Sequence, residues 1–296
     1  MKRITQAQLL NTFASHKPIE DGWSSDKKYC VEKLDGSKYF LRIEQESKYE
    51  STKELFSTLE QIALLDVHIC EPIEVGYCAD GVYSLQSWVN GCDLKDVVHK
   101  MPEEEQYLLG VKAGENLRKI HSINAQKNQG TWAKHFNAKI DKTIKSYDEC
   151  GLRLEGDAYI LDYIKKHRHL LNDRPQSFQH GDYHIGNMMM EEGKLKIIDF
   201  NRHSFGDPWE EFNRIVWSAA VSPHFATGQI KGYFEGKPPL DFFKLLSLYI
   251  AHNTISSLPW AIKFGQDEID VMRNQAKDVL KWYDNMQRHM PVWYTS

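Results

Sequence analysis

Three side chains of the kinds used in phosphoryl transfer occur between residues 180 and 200. The sequence reads HGDYHIGN at residues 180–187 and IIDF at residues 197–200. Kinases use a carboxylate to orient the attacking hydroxyl, and an amide and a second carboxylate to hold Mg²⁺ against the nucleotide phosphates. Asp182 and Asn187 are spaced as in the kinase pattern H-R-D-x-x-x-x-N, and Asp199 begins a match to D-F-G. This spacing predicts phosphoryl-transfer chemistry.

The residues between these two motifs are typical of a β-hairpin. Residues 188–190 are apolar, residues 191–194 (EEGK) have turn composition, and residues 195–198 form a second strand-like run. Such a hairpin returns Asp199 to the side of Asn187. The sequence therefore predicts one metal site built from Asn187 and Asp199.

Two other interpretations of this region remain open. An isolated Asp or Asn is usually a turn residue, and an isolated His is usually structural. Alternatively, in a β-strand His180, Asp182 and His184 would face one side, as ligands of a hydrolytic Zn²⁺ or Fe²⁺ would. Gly181 and Gly186 favour a loop instead, and no further His/Asp cluster with ligand spacing completes such a site.

The motifs HGDYHIGN and IIDF resemble the signature of the aminoglycoside phosphotransferase and choline kinase superfamily. The resemblance implies an α+β, bilobal protein-kinase-like fold, with an antiparallel-sheet N-lobe over residues 1–89 and a mainly helical C-lobe over residues 90–296. It also implies that Asp182 is the catalytic base and that Asn187 and Asp199 bind Mg²⁺. The phosphoryl donor would be ATP or GTP.

Composition fits an enzyme of this kind. The chain has 296 residues, enough for two lobes with separate cores, and its net charge of -4 argues against general nucleic-acid binding. Five cysteines, none in a CxxC pair, favour a reducing compartment. No signal-peptide core or membrane-length apolar run is visible, so we expect a cytoplasmic protein without a membrane partner.

The first 90 residues are predicted to form the sheet. An amphipathic helix is expected over residues 1–16, followed by strands around residues 29–31 and 39–43 with an Asp-Gly turn between them. Apolar periodicity predicts a helix over residues 47–65. Two more strands are expected around residues 75–77 and 82–85.

Two parts of this region are candidate phosphate contacts. The polar loop of residues 21–27 contains only one glycine, but by the resemblance its Ser24 and Ser25 could contact phosphate. Arg42 lies between apolar Leu41 and Ile43, where kinases place the lysine that binds the α- and β-phosphates. The resemblance implies that Arg42 binds nucleotide, although a solvent-facing strand arginine is the alternative.

The remaining nucleotide residues are assigned by analogy with kinases. A kinase needs an acid on the helix after this strand to hold the phosphate-binding cation, and Glu54 is our choice, with Glu50 in reserve. The resemblance also places a hinge at residues 86–94, where the Ser87 carbonyl and the Val89 N–H would face the adenine base.

The rest of the chain reads as helical, with an acidic helix start at residues 102–105 and further helices within residues 138–172. After the metal site, Arg202 could help neutralise the active-site carboxylates. By the resemblance, Asp207 and Glu211 support the catalytic loop. Aromatic residues of the last third are interpreted mainly as core, with acceptor stacking as the alternative.

The acceptor is the least determined part of the prediction. The family resemblance favours an aminoglycoside-like antibiotic, but a metabolite of the choline, homoserine, thiamine or sugar type would use the same catalytic motif. A non-catalytic nucleotide-binding protein is a further alternative, which the intact Asp182, Asn187 and Asp199 argue against. A protein-substrate kinase is disfavoured because no Ala-Pro-Glu segment follows Phe200.

Overall fold

A computed structural model describes residues 3–20, 24–124 and 130–295. The chain divides into two compact units. Unit 1 comprises Met1–Cys92 and Met189–Ile198, and unit 2 comprises Asp93–Met188 and Asp199–Ser296. This division differs from the predicted one in two respects: the boundary follows Cys92 where residue 89 was expected, and the segment Met189–Ile198 belongs with unit 1.

Regular elements cover most of the described chain. The strands are β1 (Ser15–Pro18), β2 (Lys27–Glu32), β3 (Lys38–Glu44), β4 (Pro72–Cys78), β5 (Gly81–Ser87), β6 (Cys92–Asp93), β7 (Ser177–Gln179), β8 (Met188–Glu191), β9 (Lys194–Ile197) and β10 (Ser204–Gly206). The α-helices are α1 (Gln6–Leu10), α2 (Tyr49–Leu64), α3 (Leu94–Val97), α4 (Glu103–Ile120), α5 (Trp132–Glu149), α6 (Asp157–His167), α7 (Ile215–Val221), α8 (Pro223–Tyr233), α9 (Leu240–Ala261) and α10 (Gln266–Trp282).

Unit 1 contains a five-stranded antiparallel sheet in the order β1-β2-β3-β5-β4. The predicted strands and the helix over residues 47–65 are present as β2 to β5 and α2. The helix expected over residues 1–16 is wrong in length. Within the described part of this segment, residues 3–16, only Gln6–Leu10 is helical, capped by the side chains of Thr5 and Gln8. Ser15–Pro18 forms an edge strand.

The core of unit 1 explains this arrangement. Leu9 and Leu10 at the end of α1 pack with alternate residues of the central strands, so a single helical turn is enough to bury them. The buried residues of this cluster are Leu9, Leu10, Val31, Leu41, Ile43, Cys78 and Leu85. Arg42 lies on the opposite face of β3 from Leu41 and Ile43.

Unit 2 is mainly helical, and its core contains the closely packed pair α4 and α8 and the long helix α9. Helices α4 and α8 approach each other through glycines: a Cβ added at Gly110 or Gly114 would overlap the carbonyl oxygen of Phe225 or Gln229. The long helix α9 is buried on nearly all sides. These helices form the rigid support on which the loops of unit 2 are placed.

The aromatic residues of the last third lie largely in this core. Tyr233, Tyr249 and Trp293 are buried, and the indole N–H of Trp132 donates to the Tyr249 hydroxyl at 2.8 Å. Tyr249 in turn donates to Asp207. This agrees with the core interpretation for these three side chains.

No helix within the described ranges is long and apolar enough to cross a membrane. All five cysteines are free thiols.

Candidate active site

The segment containing residues 180–187 leaves strand β7, which pairs with β10 so that Phe178 lies opposite Phe205. The buried His180 ring packs on Phe200, with ring centroids 4.4 Å apart. Because Phe200 directly follows Asp199, this contact brings the two predicted motifs together. The hairpin β8–β9 separates them in sequence, as predicted, with Glu192-Gly193 at its turn.

Gly181 fixes the path of this loop. Its φ is +84°, and a Cβ at this position would overlap the carbonyl oxygen of Arg202. The Gly181 N–H donates to Oε1 of the buried Glu211 at 2.9 Å. Glu211 therefore contacts the loop as the resemblance implied, and only glycine fits at this close approach.

Further bonds attach the loop to the helices of unit 2. The hydroxyl of the buried Tyr183 donates to the Ala113 carbonyl of α4 at 2.7 Å. The Ile185 N–H donates to Oγ of Ser218 on α7 at 3.0 Å. The backbone that carries Asp182 is therefore fixed by bonds of Gly181 before it and of Tyr183 and Ile185 after it.

Asp182 lies among cationic and imidazole groups. Its Oδ1 is 3.3 Å from Nε of Arg214 and 3.6 Å from Nε2 of His184, and its Oδ2 is 3.9 Å from Nε of Arg202. Burial alone would raise the pKa of Asp182, but the charges of these neighbours and of His180 outweigh it, so the pKa lies below its usual value. The group is thus a carboxylate at neutral pH.

The arginines supply most of this positive charge. Burial lowers the pKa of His184 to about 4, against the raising effect of Asp182, so its imidazole is neutral at pH 7. At neutral pH His184 therefore carries no positive charge that could lower the pKa of Asp182. Arg214 and Arg202 carry that role, so Arg202 offsets part of the charge of Asp182.

His180 and His184 each accept a hydrogen bond from the backbone of the loop, which gives both side chains a structural role. Nδ1 of His180 accepts from the Asp182 N–H at 3.2 Å, and Nδ1 of His184 accepts from the Gly186 N–H at 3.1 Å. Among the residues that the structure describes, no group of three or more His, Cys, Asp or Glu side chains forms a metal-binding cluster. The arrangement gives the Zn²⁺ or Fe²⁺ interpretation no support.

Asn187 and Asp199 offer oxygen atoms of the type that Mg²⁺ prefers. Nδ2 of Asn187 donates to the Asp182 carbonyl at 2.9 Å, which leaves Oδ1 as the ligand atom. Asp199 is exposed in a left-handed conformation with φ 64°, and its Oδ1 accepts from the side chain of Asn201. An amide oxygen and a carboxylate fit Mg²⁺ bound chiefly through nucleotide phosphates and water.

In unit 1, Arg42 is buried on β3 opposite Ser84. Its Nη1 is 3.9 Å from Oδ2 of Asp26. Burial raises the pKa of Glu44, which the charge of Arg42 partly offsets. Arg42 is therefore a desolvated cation beside two acids, and the interpretation of a solvent-facing arginine is wrong.

The other candidate nucleotide residues are placed as follows. Ser24 and Ser25 are exposed, and Oγ of Ser24 accepts from the Asp26 N–H at 3.4 Å. The preceding loop residues 21–23 lie outside the described residues. Glu54, our choice as the partner of Arg42, is exposed on α2, as is the reserve Glu50. Asp26 and Glu44 are acids near Arg42 in unit 1, and the pairing of Arg42 with Glu54 stays a prediction.

The predicted hinge follows β5. The N–H of Ser87 donates to the Glu71 carbonyl at 2.9 Å, and the Val89 side chain is buried. The Trp88 N–H donates to the Lys38 carbonyl at 3.3 Å. The backbone on both sides of this segment is therefore fixed by unit 1, while contact with adenine stays a prediction.

Sequence reasoning did not identify the residues that surround Asp182 in space. Arg214 lies 32 positions after Asp182, and no spacing rule connects the two. A pocket of about 200 Å³ within unit 2 is lined by Gly181, Arg202, Arg214 and residues of α5 and α9. Only Arg202 had a signal, its position three residues after Asp199.

A model of the phosphotransferase enzyme family matches residues 15–243, more than half of the chain. The chain belongs to this family. It is therefore a phosphotransferase that uses an alcohol group as acceptor, and its fold is the predicted antiparallel-sheet and helical one.

Solved structures agree with this family's fold. A thermostable mutant of aminoglycoside phosphotransferase APH(4)-Ia, in ternary complex with ADP and hygromycin B, is 16% identical with a TM-score of 0.66, covering 92% of this chain and 95% of that one. A choline/ethanolamine kinase family protein from Mesorhizobium loti is 15% identical, with a TM-score of 0.66 and coverages of 95% and 93%.

A mutant aminoglycoside 2′-phosphotransferase IIIa in complex with GDP is similar to the same degree, with 15% identity, a TM-score of 0.66 and 93% coverage of each chain. No curated protein matches the chain. At these identities the solved phosphotransferases and kinases support the fold, and the acceptor has to be argued from this chain's own residues.

Proposed function

We propose that this phosphotransferase is a small-molecule kinase, which transfers the γ-phosphoryl group of ATP or GTP to a hydroxyl group with the help of Mg²⁺. The observation that carries the proposal is the joint placement of Asp182 and Asn187. Asp182 is an ionised carboxylate beside two arginines, and the Asn187 amide is bonded to the Asp182 backbone. This combines an acceptor-orienting group and a metal ligand on one rigid loop.

In this scheme Asp182 accepts a hydrogen bond from the acceptor hydroxyl and directs its oxygen at the phosphoryl group. A low pKa makes Asp182 a weak base, which suits a reaction whose transition state is loose and depends on positioning more than on early proton removal. Arg214 and Arg202 fix the carboxylate by ion pairs on different oxygens. The proton passes to Asp182 as the new oxygen–phosphorus bond forms, while the bond from the γ-phosphorus to the β–γ bridging oxygen breaks and ADP or GDP leaves.

Asn187 and Asp199 would hold Mg²⁺, which supplies charge neutralisation at the phosphates. In unit 1 we assign Arg42 to the α- and β-phosphates, with Ser24 and Ser25 as further phosphate contacts. Burial of Arg42 supports this role, because a desolvated guanidinium binds phosphate through a planar pair of donors. The Ser87 carbonyl and the Val89 N–H remain our candidates for the base.

The ADP and GDP complexes of the solved structures contain the products that ATP and GTP leave after transfer, so they support a nucleotide donor without choosing between ATP and GTP. For the acceptor, the hygromycin B complex supports an aminoglycoside-like antibiotic, and the choline/ethanolamine kinase likeness supports a metabolite. The alternative of a nucleotide-binding protein without turnover is not supported, because the chain belongs to the phosphotransferase enzyme family. Cytoplasmic location remains a prediction.

Replacing Asp182 tests the catalytic assignment. Asp182→Ala removes the group that orients the hydroxyl, so we expect kcat to fall by about 10²-fold or more, with Mg·ATP affinity nearly unchanged. Turnover is measured as ADP release with an acceptor panel of aminoglycosides and hydroxylated metabolites. Undiminished turnover would remove Asp182 from the mechanism.

Replacing Asp199 tests the metal assignment separately. Asp199→Ala should abolish the Mg²⁺-dependent part of ATP binding in calorimetry, because a ligand of the phosphate-bound metal is lost. Asp278→Ala is the matched control, since Asp278 is an exposed acid on α10. Equal Mg·ATP affinity in all three proteins would contradict the role of Asp199.

A further inference from the structure

A small polar pocket lies directly beside the catalytic loop in unit 2. It has a volume of about 200 Å³, and its wall includes Gly181 together with Arg202 and Arg214, the two arginines that hold Asp182. Sites for drug-sized ligands usually measure roughly 300–1,000 Å³. The pocket therefore fits an acceptor of about the size of a monosaccharide better than a multi-ring antibiotic.

The ionised side chains of the wall are mainly positive. Lys139, Arg202 and Arg214 line the pocket, whereas Glu210 is its one acidic lining residue. Glu210 is also engaged by neighbours: Lys139 Nζ is 3.3 Å from its Oε1, and the Gln179 amide donates to its Oε2 at 3.2 Å. Even when Asp182 is counted with this set, the positive charges exceed the negative ones.

His252 at the pocket wall responds to the same positive charge. Burial, together with the charges of Lys139, Arg168 and Arg214, lowers the pKa of His252 to about 3. The imidazole is neutral at pH 7, and Nε2 is 2.9 Å from Oγ1 of Thr143. The group adds a neutral polar surface and no negative charge.

This charge distribution discriminates between acceptor classes. A polycation would place ammonium groups beside Lys139 and Arg202, and like charges repel one another. An anionic group would instead receive charge-assisted hydrogen bonds, and a guanidinium matches the geometry of a carboxylate or a phosphate.

We propose that the acceptor is a monosaccharide-sized hydroxylated molecule that carries an anionic group, either carboxylate or phosphate. Lys139 and Arg202 bind the anionic group, and a hydroxyl of the same molecule faces Asp182. The proposal rests on the kinase function proposed above and narrows its acceptor. It disfavours the aminoglycoside acceptor that the family resemblance suggests.

The experiment compares compounds that share a ring and differ in charge. Glucose, glucuronate and glucosamine form a neutral, anionic and cationic set; ribose and ribose 5-phosphate form the phosphate arm, and kanamycin is the polycation. ADP release with Mg·ATP gives kcat/KM for each compound. We expect kcat/KM for the anionic member of a set to be about tenfold or more above kcat/KM for its neutral and cationic members. This is the effect of about one added hydrogen bond between charged groups.

Two lysine variants on α5 test whether the preference for anionic compounds comes from this pocket. Lys139→Gln should raise KM for the preferred anionic compound by about 10- to 100-fold with little change in kcat, because one charged contact is lost. Lys145→Gln is the matched control, since Lys145 is an exposed lysine of the same helix whose partner is Glu149. An equal effect of both variants would overturn the assignment.

Two further results separate failure of this inference from failure of the kinase proposal. Preference for glucosamine or kanamycin would overturn the anionic class while kinase activity stands. If no compound is turned over, calorimetric binding of the same compounds in the presence of Mg·AMP-PNP decides, and absence of an anionic preference there overturns it as well. If the wild-type protein does not bind Mg·ATP, the kinase proposal itself is refuted.

Discussion

Replacing Asp207 by Asn would remove a fully buried charge that supports the turn after β10. Both oxygens of Asp207 are used: Arg174 donates from Nε to Oδ2 at 2.7 Å and from Nη2 to Oδ1 at 2.9 Å. The Tyr249 hydroxyl donates to Oδ2 at 2.6 Å, and the Trp209 N–H donates to Oδ1 at 3.0 Å. The same turn leads into Glu211, which holds the catalytic loop.

The magnitude follows from what Asn can still accept. One amide oxygen keeps two of the four bonds, the Tyr249 hydroxyl can rotate to accept from the new NH₂, and the Arg174 charge loses its counter-ion. Breaking a buried ion pair from one side costs about 3–5 kcal/mol. The stacking of Arg174 on Trp209, at 3.8 Å from the ring centroid, remains and keeps the loss near the lower end.

Urea unfolding of wild type and Asp207→Asn measures this loss as the difference in the free energy of unfolding. Asp162→Asn is the control, because Asp162 pairs with Lys166 at 2.6 Å on the surface and such pairs contribute about 0–1 kcal/mol. We expect about 3 kcal/mol for Asp207 and less than about 1 kcal/mol for Asp162. Similar losses in both variants would refute the view that Asp207 anchors this turn.

Two further substitutions test how the loop is held. Gly181→Ala should lower kcat by about 100-fold, because the new Cβ displaces the loop from the Arg202 carbonyl. Gly151→Ala is the control for the cost of a positive φ alone, because Gly151 has a positive φ and open space around it. Equal activity of both variants would contradict the overlap at Gly181. Glu211→Ala should lower kcat by about tenfold or more through loss of the bond to the Gly181 N–H, whereas Glu211→Gln retains an acceptor and most of the activity. Identical kinetics for the two Glu211 variants would argue against that bond.

Local patterns predicted most of the fold around the site. The hairpin β8–β9 was visible because apolar runs flank a turn sequence, and both are short-range features. The edge strand β1 was missed because Ser15–Pro18 is exposed along its length and has no alternating apolar pattern. Helix α1 ends at Leu10, and Phe13 beyond it packs on the core of unit 1 without being helical. Helical periodicity does not contain this tertiary requirement.

The charge environment of the site could not be predicted in the same way. Arg214 reaches Asp182 through the packing of the turn after β10, and Lys139 reaches the pocket from α5. Both are ordinary surface-type residues in the sequence, and only three-dimensional placement shows that they face the same loop. For Arg42, the position on a strand was predicted from its apolar neighbours, but its burial and the proximity of Asp26 depended on the three-dimensional fold.

The electrostatics of the catalytic loop and of the pocket follow from one arrangement. Arg214 and Arg202 keep Asp182 ionised, and the same two guanidinium groups line the acceptor pocket. A polycationic acceptor would compete with these arginines for Asp182 and would weaken the ion pairs that orient it. An anionic acceptor would not compete for Asp182, and in the proposed arrangement Arg214 keeps its ion pair with Asp182 while Lys139 and Arg202 bind the anionic group. On this proposal, the positive charges that hold Asp182 also select the acceptor.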